Sequence, residues 1–142
     1  MRLALDEARA AAGDGEVPVG AVVMRAGEVL AVARNRMREG SDPTAHAEIV
    51  ALRMAAERLA TDRLDGCDLW VTLEPCAMCA GAIALSRIGR LYFGAADVKR
   101  GAVVSGVRLF TQPTCHHAPE VYGGIGEEEA GEMLKGFFRA RR

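Results

Sequence analysis

The sequence predicts an α/β protein, a three-layer α/β/α sandwich around a mixed sheet of about five strands. Three observations lead there. Segments with apolar residues at helical spacing alternate with short runs of strand formers. The first two strand runs are joined by a tight turn at Ala26-Gly27, so they pair as a hairpin and put an antiparallel element into the sheet. A length of 142 residues suits one domain, 1–142, with a proper core.

The elements follow in order. Residues 2–12 read as a weakly amphipathic helix with Leu5, Ala8 and Ala12 on one side, ended by Gly13 and Gly15. Residues 19–24 (VGAVVM) and 28–33 (EVLAVA) are the hairpin strands, and a polar loop, NRMREGSDPT, leaves them. Residues 46–60 place Ile49, Leu52, Ala56 and Leu59 at helical spacing, and 68–73 is rich in strand formers. The segment 76–86 (CAMCAGAIALS) is almost wholly apolar, which predicts a buried helix with Pro75 in its first turn. Residues 91–94 and 120–122 read as short strands. The clearest helix covers 127–142, with the stripe Ala130, Met133, Leu134, Phe137 and Phe138. Its acidic first turn and its basic last turn (Arg139, Arg141, Arg142) complement the helix dipole.

Composition excludes several classes. The chain is 50% apolar and 26% charged, ordinary for a soluble domain. It has no run of about 18 uncharged apolar residues, so no membrane span is expected. Asp6, Glu7 and Arg9 interrupt any secretory apolar core, and a cytoplasmic protein is expected. The cysteines, Cys67, Cys76, Cys79 and Cys115, therefore do not read as a disulfide framework. Two of them lie three residues apart, which points to metal or redox chemistry. Net charge is −1, but residues 1–86 carry −4 (9 basic, 13 acidic) and 87–142 carry +3 (9 basic, 6 acidic). Overall charge does not announce a nucleic-acid partner, although the second half can supply a local basic surface.

Two short motifs carry the chemistry. His46-Ala47-Glu48 opens one helix, and Pro75-Cys76-Ala77-Met78-Cys79 opens another. Cys76 and Cys79, at i and i+3, share a helical face and can share an ion. A helix N-terminus favours thiolates. Two thiolates and one imidazole suit Zn2+. Three protein ligands mark a catalytic site, which keeps a position for water, whereas a structural site is closed by four. Glu48 is expected to move the proton of that water. Either motif alone is weak: H-x-E is commonly a solvated helix start, and C-x-x-C can be two core thiols or a redox pair. Their order, each opening a helix, makes chance coincidence improbable.

H-A-E followed by P-C-x-x-C is the zinc signature of the cytidine deaminase superfamily. Beyond it, GEVPVGAVV, ARNR, DPTAHAEIVALR, LWVTLEPCAMCAGAIALSRIGRLYFGA, DVKRGA and GFFRARR resemble the bacterial tRNA adenosine deaminases over nearly the whole chain. Met1 falls inside what resembles that family's first helix.

The resemblance implies a cytidine-deaminase-like fold, one Zn2+ per subunit, and conversion of the wobble adenosine of a tRNA anticodon to inosine. Glu48 would take a proton from water, deliver it to N1 of adenine and assist loss of ammonia from C6. Asn35 matches a family position that contacts the nucleoside, although by itself an Asn after a strand reads as a turn residue. Backbone groups near Ala47 and Pro75 would fix the base edge, and Asp97 with Lys99 would line a substrate-side loop. Arg139, Arg141 and Arg142 would meet RNA phosphates, but dipole complementarity explains them equally well. The implied partners are a tRNA anticodon stem-loop and a second subunit, in a homodimer with the site near the interface.

Cys115-His116-His117 is a rival donor set. It would supply a fourth ligand or bind a second metal, while His117 also sits where the family often has a His. Cys67 reads as a small core residue. Two other functions use the same residues. A free nucleobase or nucleoside deaminase of guanine or cytosine type needs the same zinc chemistry, because the fold does not fix the substrate. A non-enzymatic zinc-stabilised module needs a fourth protein ligand, such as Cys115 or His116.

Overall fold

In the computed structural model, which describes residues 1–142, α1 (Arg2–Gly13) buries Ala4, Leu5, Ala8 and Ala11. The buried stripe is thus displaced from the expected Ala12, which lies at its edge. The reason is close approach: a Cβ at Gly20 would land on the Ala4 carbonyl, so α1 rests directly on the first strand.

That strand, β1 (Gly20–Arg25), pairs antiparallel with β2 (Glu28–Arg34). Ala26 and Gly27 join them with φ of 49° and 80°, the two left-handed residues of a type I′ hairpin turn. Next come α2 (Ala47–Leu59), β3 (Cys67–Leu73), α3 (Ala77–Leu85) and β4 (Arg90–Ala95). A short 3-10 turn, Leu109–Thr111, precedes β5 (Glu120–Tyr122) and α4 (Glu127–Arg139).

The sheet has five strands in the order β2-β1-β3-β4-β5. β1 is antiparallel to both neighbours, whereas β3, β4 and β5 run parallel. Helices α1 and α4 touch each other on one face, and α2 and α3 touch each other on the other face. This is the expected mixed α/β/α sandwich. The larger core lies under α2 and α3, where Ala47, Ala51, Ala55, Ala80 and Ile83 meet Val23, Leu69, Val71 and Leu91.

Three corrections concern helices. Pro75 does not enter the first turn of α3: Cys76 is the N-cap, with φ −72° and ψ 176°, so the proline precedes the cap. Nor is α3 wholly buried. Cys79, Ala80 and Ile83 face inward, while Met78 and Leu85 face out, Leu85 being 83% exposed. In α4, Ala130 and Phe137 are buried but Phe138 is 48% exposed, because the helix rests on the sheet along a narrow line. Arg141, just beyond α4, lies 3.5 Å from the Phe137 ring centroid, so one of the basic terminal residues already has an aromatic partner.

Register produces one further feature. Trp70, Tyr92 and Tyr122 are directly paired across β3, β4 and β5. Their rings stack with centroids 3.9 and 5.0 Å apart, and the Trp70 indole Nε1 is buried without a hydrogen-bond partner. No helix is long and apolar enough to cross a membrane.

Candidate active site

His46 and Cys76 are the N-cap residues of α2 and α3, and both are extended (ψ 152° and 176°). An extended cap residue points its side chain past the helix end rather than around it. Neither makes a capping bond to its own helix, so both side chains are available to one common point. Cys79, one turn into α3, is fully buried. His46 Nδ1 lies 3.7 Å from Cys76 Sγ and 3.5 Å from Cys79 Sγ. All three donor atoms lie within 4.8 Å of one another. The cluster sits beyond the carboxyl ends of β3 and β4, the usual place for a site in an open parallel sheet.

The electrostatics suit a cation. The Cys76 thiol is held down at about 4, chiefly by the hydrogen bond it receives from Cys79 and, against burial, by His46. Cys79 is pushed up by that same bond, by burial and by the nearby Glu48 carboxylate. These opposite shifts describe one proton shared by one pair of sulfurs; a bound cation makes both thiolates. His46 is raised, first by its bond to Cys76, with the Arg100 guanidinium working against it. The donor set of one imidazole and two thiols fits zinc, with three protein donors rather than four.

Glu48 stands beside this group. It lies in the first turn of α2 and is 4% exposed. Burial pushes its carboxyl up to about 7, with His46 pulling the other way. A carboxyl poised there can both accept and donate a proton near neutral pH.

The MafB19-like deaminase family model matches residues 1–142. The tRNA-specific adenosine deaminase of Agrobacterium fabrum is 60% identical over all of this chain and 93% of its own length. That of Aquifex aeolicus is 46% identical over the same shares. This chain belongs to the tRNA-specific adenosine deaminase family. A solved structure from work on A-to-I editing by tRNA:A34 deaminases superposes with a TM-score of 0.93 at 60% identity, covering 94% of this chain and 97% of that one. A guanine deaminase from Nitrosomonas europaea superposes with a TM-score of 0.81 at 26% identity, covering 94% and 80%.

In this deaminase family member, the other residues singled out in the sequence prove to be braces around the cluster. Asn35 is buried: its Oδ1 accepts the Ala47 N–H at 2.8 Å, and its Nδ2 donates to the Val17 carbonyl at 3.0 Å. It thus ties the start of α2 to the strand layer and retains one amide hydrogen. The Ala47 N–H is occupied by that bond. The Pro75 carbonyl accepts the Ala102 N–H at 2.9 Å. Asp97 closes a turn by accepting the Lys99 and Arg100 N–H groups at 3.1 and 3.0 Å.

Cys115-His116-His117 lies apart from the cluster. These residues line a groove of about 440 Å³ with Gly81, Leu85 and Arg87 at the far end of α3. His117 Nε2 is 2.6 Å from the Ile88 carbonyl, and Cys115 Sγ donates to the His117 carbonyl. Cys67 is a core residue, fully buried.

Two buried carboxylates escaped the sequence reading. Glu16 Oε1 accepts the N–H groups of Arg38 and Glu39, fixing the loop that leads to His46. Glu74 lies immediately before Pro75 and is 2% exposed. A charge at the end of the apolar run LWVTL was the available signal for Glu74.

Proposed function

We propose that this chain hydrolyses the wobble adenosine of a tRNA anticodon to inosine and ammonia, with one zinc ion held by His46, Cys76 and Cys79. The observation that carries the reading is the three-donor cluster with Glu48 buried beside it, in a chain 60% identical to a curated tRNA-specific adenosine deaminase. Zinc bound there would act as a Lewis acid that brings the pKa of water toward neutrality.

The chain's own residues do the rest. Glu48 takes a proton from the water that attacks C6 of adenine and hands it to N1; the proton of the new C6 hydroxyl then passes to the exocyclic amine, which leaves as ammonia as the C6 carbonyl forms. Asn35 holds the first turn of α2, and so Glu48, in place, with its remaining amide hydrogen directed to the nucleoside. Asp97 and Lys99 shape the loop on the substrate side. With tRNA as substrate, the cytoplasm is the place of action.

The decisive experiment offers zinc-loaded protein an anticodon stem-loop with A at the wobble position and, separately, free adenine, guanine, cytosine and their nucleosides. Inosine is expected in the stem-loop. Turnover of a free base without inosine in RNA would replace this reading with a nucleobase deaminase. No turnover of anything, with zinc bound, would leave a zinc-stabilised module.

The same family reading includes a homodimer. Exposed Met78 and Leu85 on α3, with Val104 and Val107 also exposed, offer an apolar face beside the site for a second copy. Light scattering is expected to give about twice the 15.1 kDa chain mass. A monomer at micromolar concentration would dismiss the dimer.

A further inference from the structure

Glu74 has an unusual number of partners for a carboxylate outside the reacting centre. Oε2 accepts the backbone N–H groups of Val103, Val104 and Ser105 at 3.1, 3.0 and 2.9 Å. Oε1 accepts the Asp97 N–H and the Ser105 hydroxyl, both at 3.0 Å. Five bonds to one carboxylate, four of them from backbone, close both ends of the 97–105 segment on a single side chain. Burial acts to raise this carboxyl, but the bonds from Asp97, Ser105 and Val103 outweigh it and hold it below the usual range.

The segment so gathered abuts the metal cluster. Gly101 forms an isolated antiparallel bridge with Cys76, and Ala102 donates to the Pro75 carbonyl. The Arg100 charge acts on His46. At the tip, Val98 is 84% exposed between Asp97 and Lys99, an apolar side chain presented on a firmly held turn. The fit around Gly101 is tight: a Cβ there would strike both the Glu74 carboxyl group and the Asp97 carbonyl. The loop is anchored in the core by Ala102 and Val103, and its backbone amides at both ends are gathered on one carboxylate that belongs to the strand-to-helix connection carrying Cys76.

We infer that Glu74 is a positioning residue that fixes the 97–105 loop as the wall of the site, setting how tightly the RNA substrate is held rather than how fast the base reacts. Only the RNA-binding part of this inference rests on the deaminase reading. Glutamine at 74 keeps the shape but turns an N–H donor toward the Asp97 N–H or toward the three N–H groups opposite, so at least one donor is left facing another. The negative charge that favours all five bonds is also lost.

The test has two arms on the zinc-loaded full chain, comparing wild type with Glu74→Gln and Gly101→Ala. In hydrogen exchange, amides of Asp97, Val103, Val104 and Ser105 are expected to exchange at least about tenfold faster in both variants, with β3 and α3 unchanged and one zinc per chain retained. In kinetics on the anticodon stem-loop, KM is expected to rise about tenfold with kcat within about threefold.

Unchanged exchange at these four amides would overturn the inference. So would equal acceleration across β3, which makes Glu74 a general stability residue. A fall in kcat at constant KM would overturn the assignment to substrate holding. If wild type itself made no inosine, the deaminase reading would fall, and the exchange arm would still decide whether Glu74 holds the loop.

Discussion

Glu48→Gln is expected to lower kcat/KM for inosine formation by about a thousandfold or more, while the protein keeps its zinc. The side chain is buried and held in the first turn of α2, so the isosteric amide occupies the same space. What it loses is the capacity to accept a proton from water and return it at N1. Because burial opposes ionisation of this carboxyl, removing the charge is not expected to destabilise the fold, and the thermal midpoint should stay within a few degrees of wild type. Single-turnover assays with nucleoside analysis, beside zinc by atomic absorption, check both halves. A rate within tenfold of wild type would remove Glu48 from the reaction, and loss of zinc would make it a ligand instead.

Withdrawing the metal has the opposite signature. Cys79→Ser, or wild type treated with a strong chelator, is expected to lose activity and stability together. Cys79 is fully buried under the N-terminus of α3, and its sulfur joins that helix to His46 on α2. A ligand that binds only the folded state adds roughly 4 kcal/mol at a thousandfold excess over its Kd. For a domain of this size, that corresponds to a fall of about 10 °C or more in Tm on chelation. Without metal, two cysteines, an imidazole and a buried carboxyl remain crowded together, and the two sulfurs are left sharing one proton. Differential scanning calorimetry with and without zinc reads the effect. An unchanged Tm, or a chelated protein that still makes inosine, would refute zinc as the resident ion.

Much of this was legible from residue order. The hairpin followed from Ala26-Gly27, the parallel part of the sheet from the alternation of strand and helix, and the cluster from two short motifs that each open a helix. What the sequence could not show was set by contacts distant along the chain. The buried stripe of α1 shifted because Gly20 lets the helix backbone reach the sheet. α3 reads as buried because its side chains are apolar, yet nothing in this chain covers Met78 and Leu85. Asn35 looks like a turn residue until its two bonds to Val17 and Ala47 are traced. Glu16 and Glu74 were missed for the same reason: a carboxylate whose partners are backbone amides 22 to 31 residues away has no local pattern.

The ladder of rings across β3, β4 and β5 gives the molecule a built-in optical reporter. Trp70 is the one tryptophan in the chain, its ring lies against Tyr92, and Tyr92 in turn lies against Tyr122 on the edge strand. An indole whose N–H is buried without a hydrogen-bond partner emits at shorter wavelength than a solvated one, and the ring stacked on it modulates its brightness. β5 is only three residues long and holds the sheet's outer edge. Detachment of that strand would strip Tyr122 from Tyr92, and separation of β4 from β3 would then change the colour and brightness of a single fluorophore, while the His46, Cys76 and Cys79 end of the protein carries no tryptophan to report at those wavelengths.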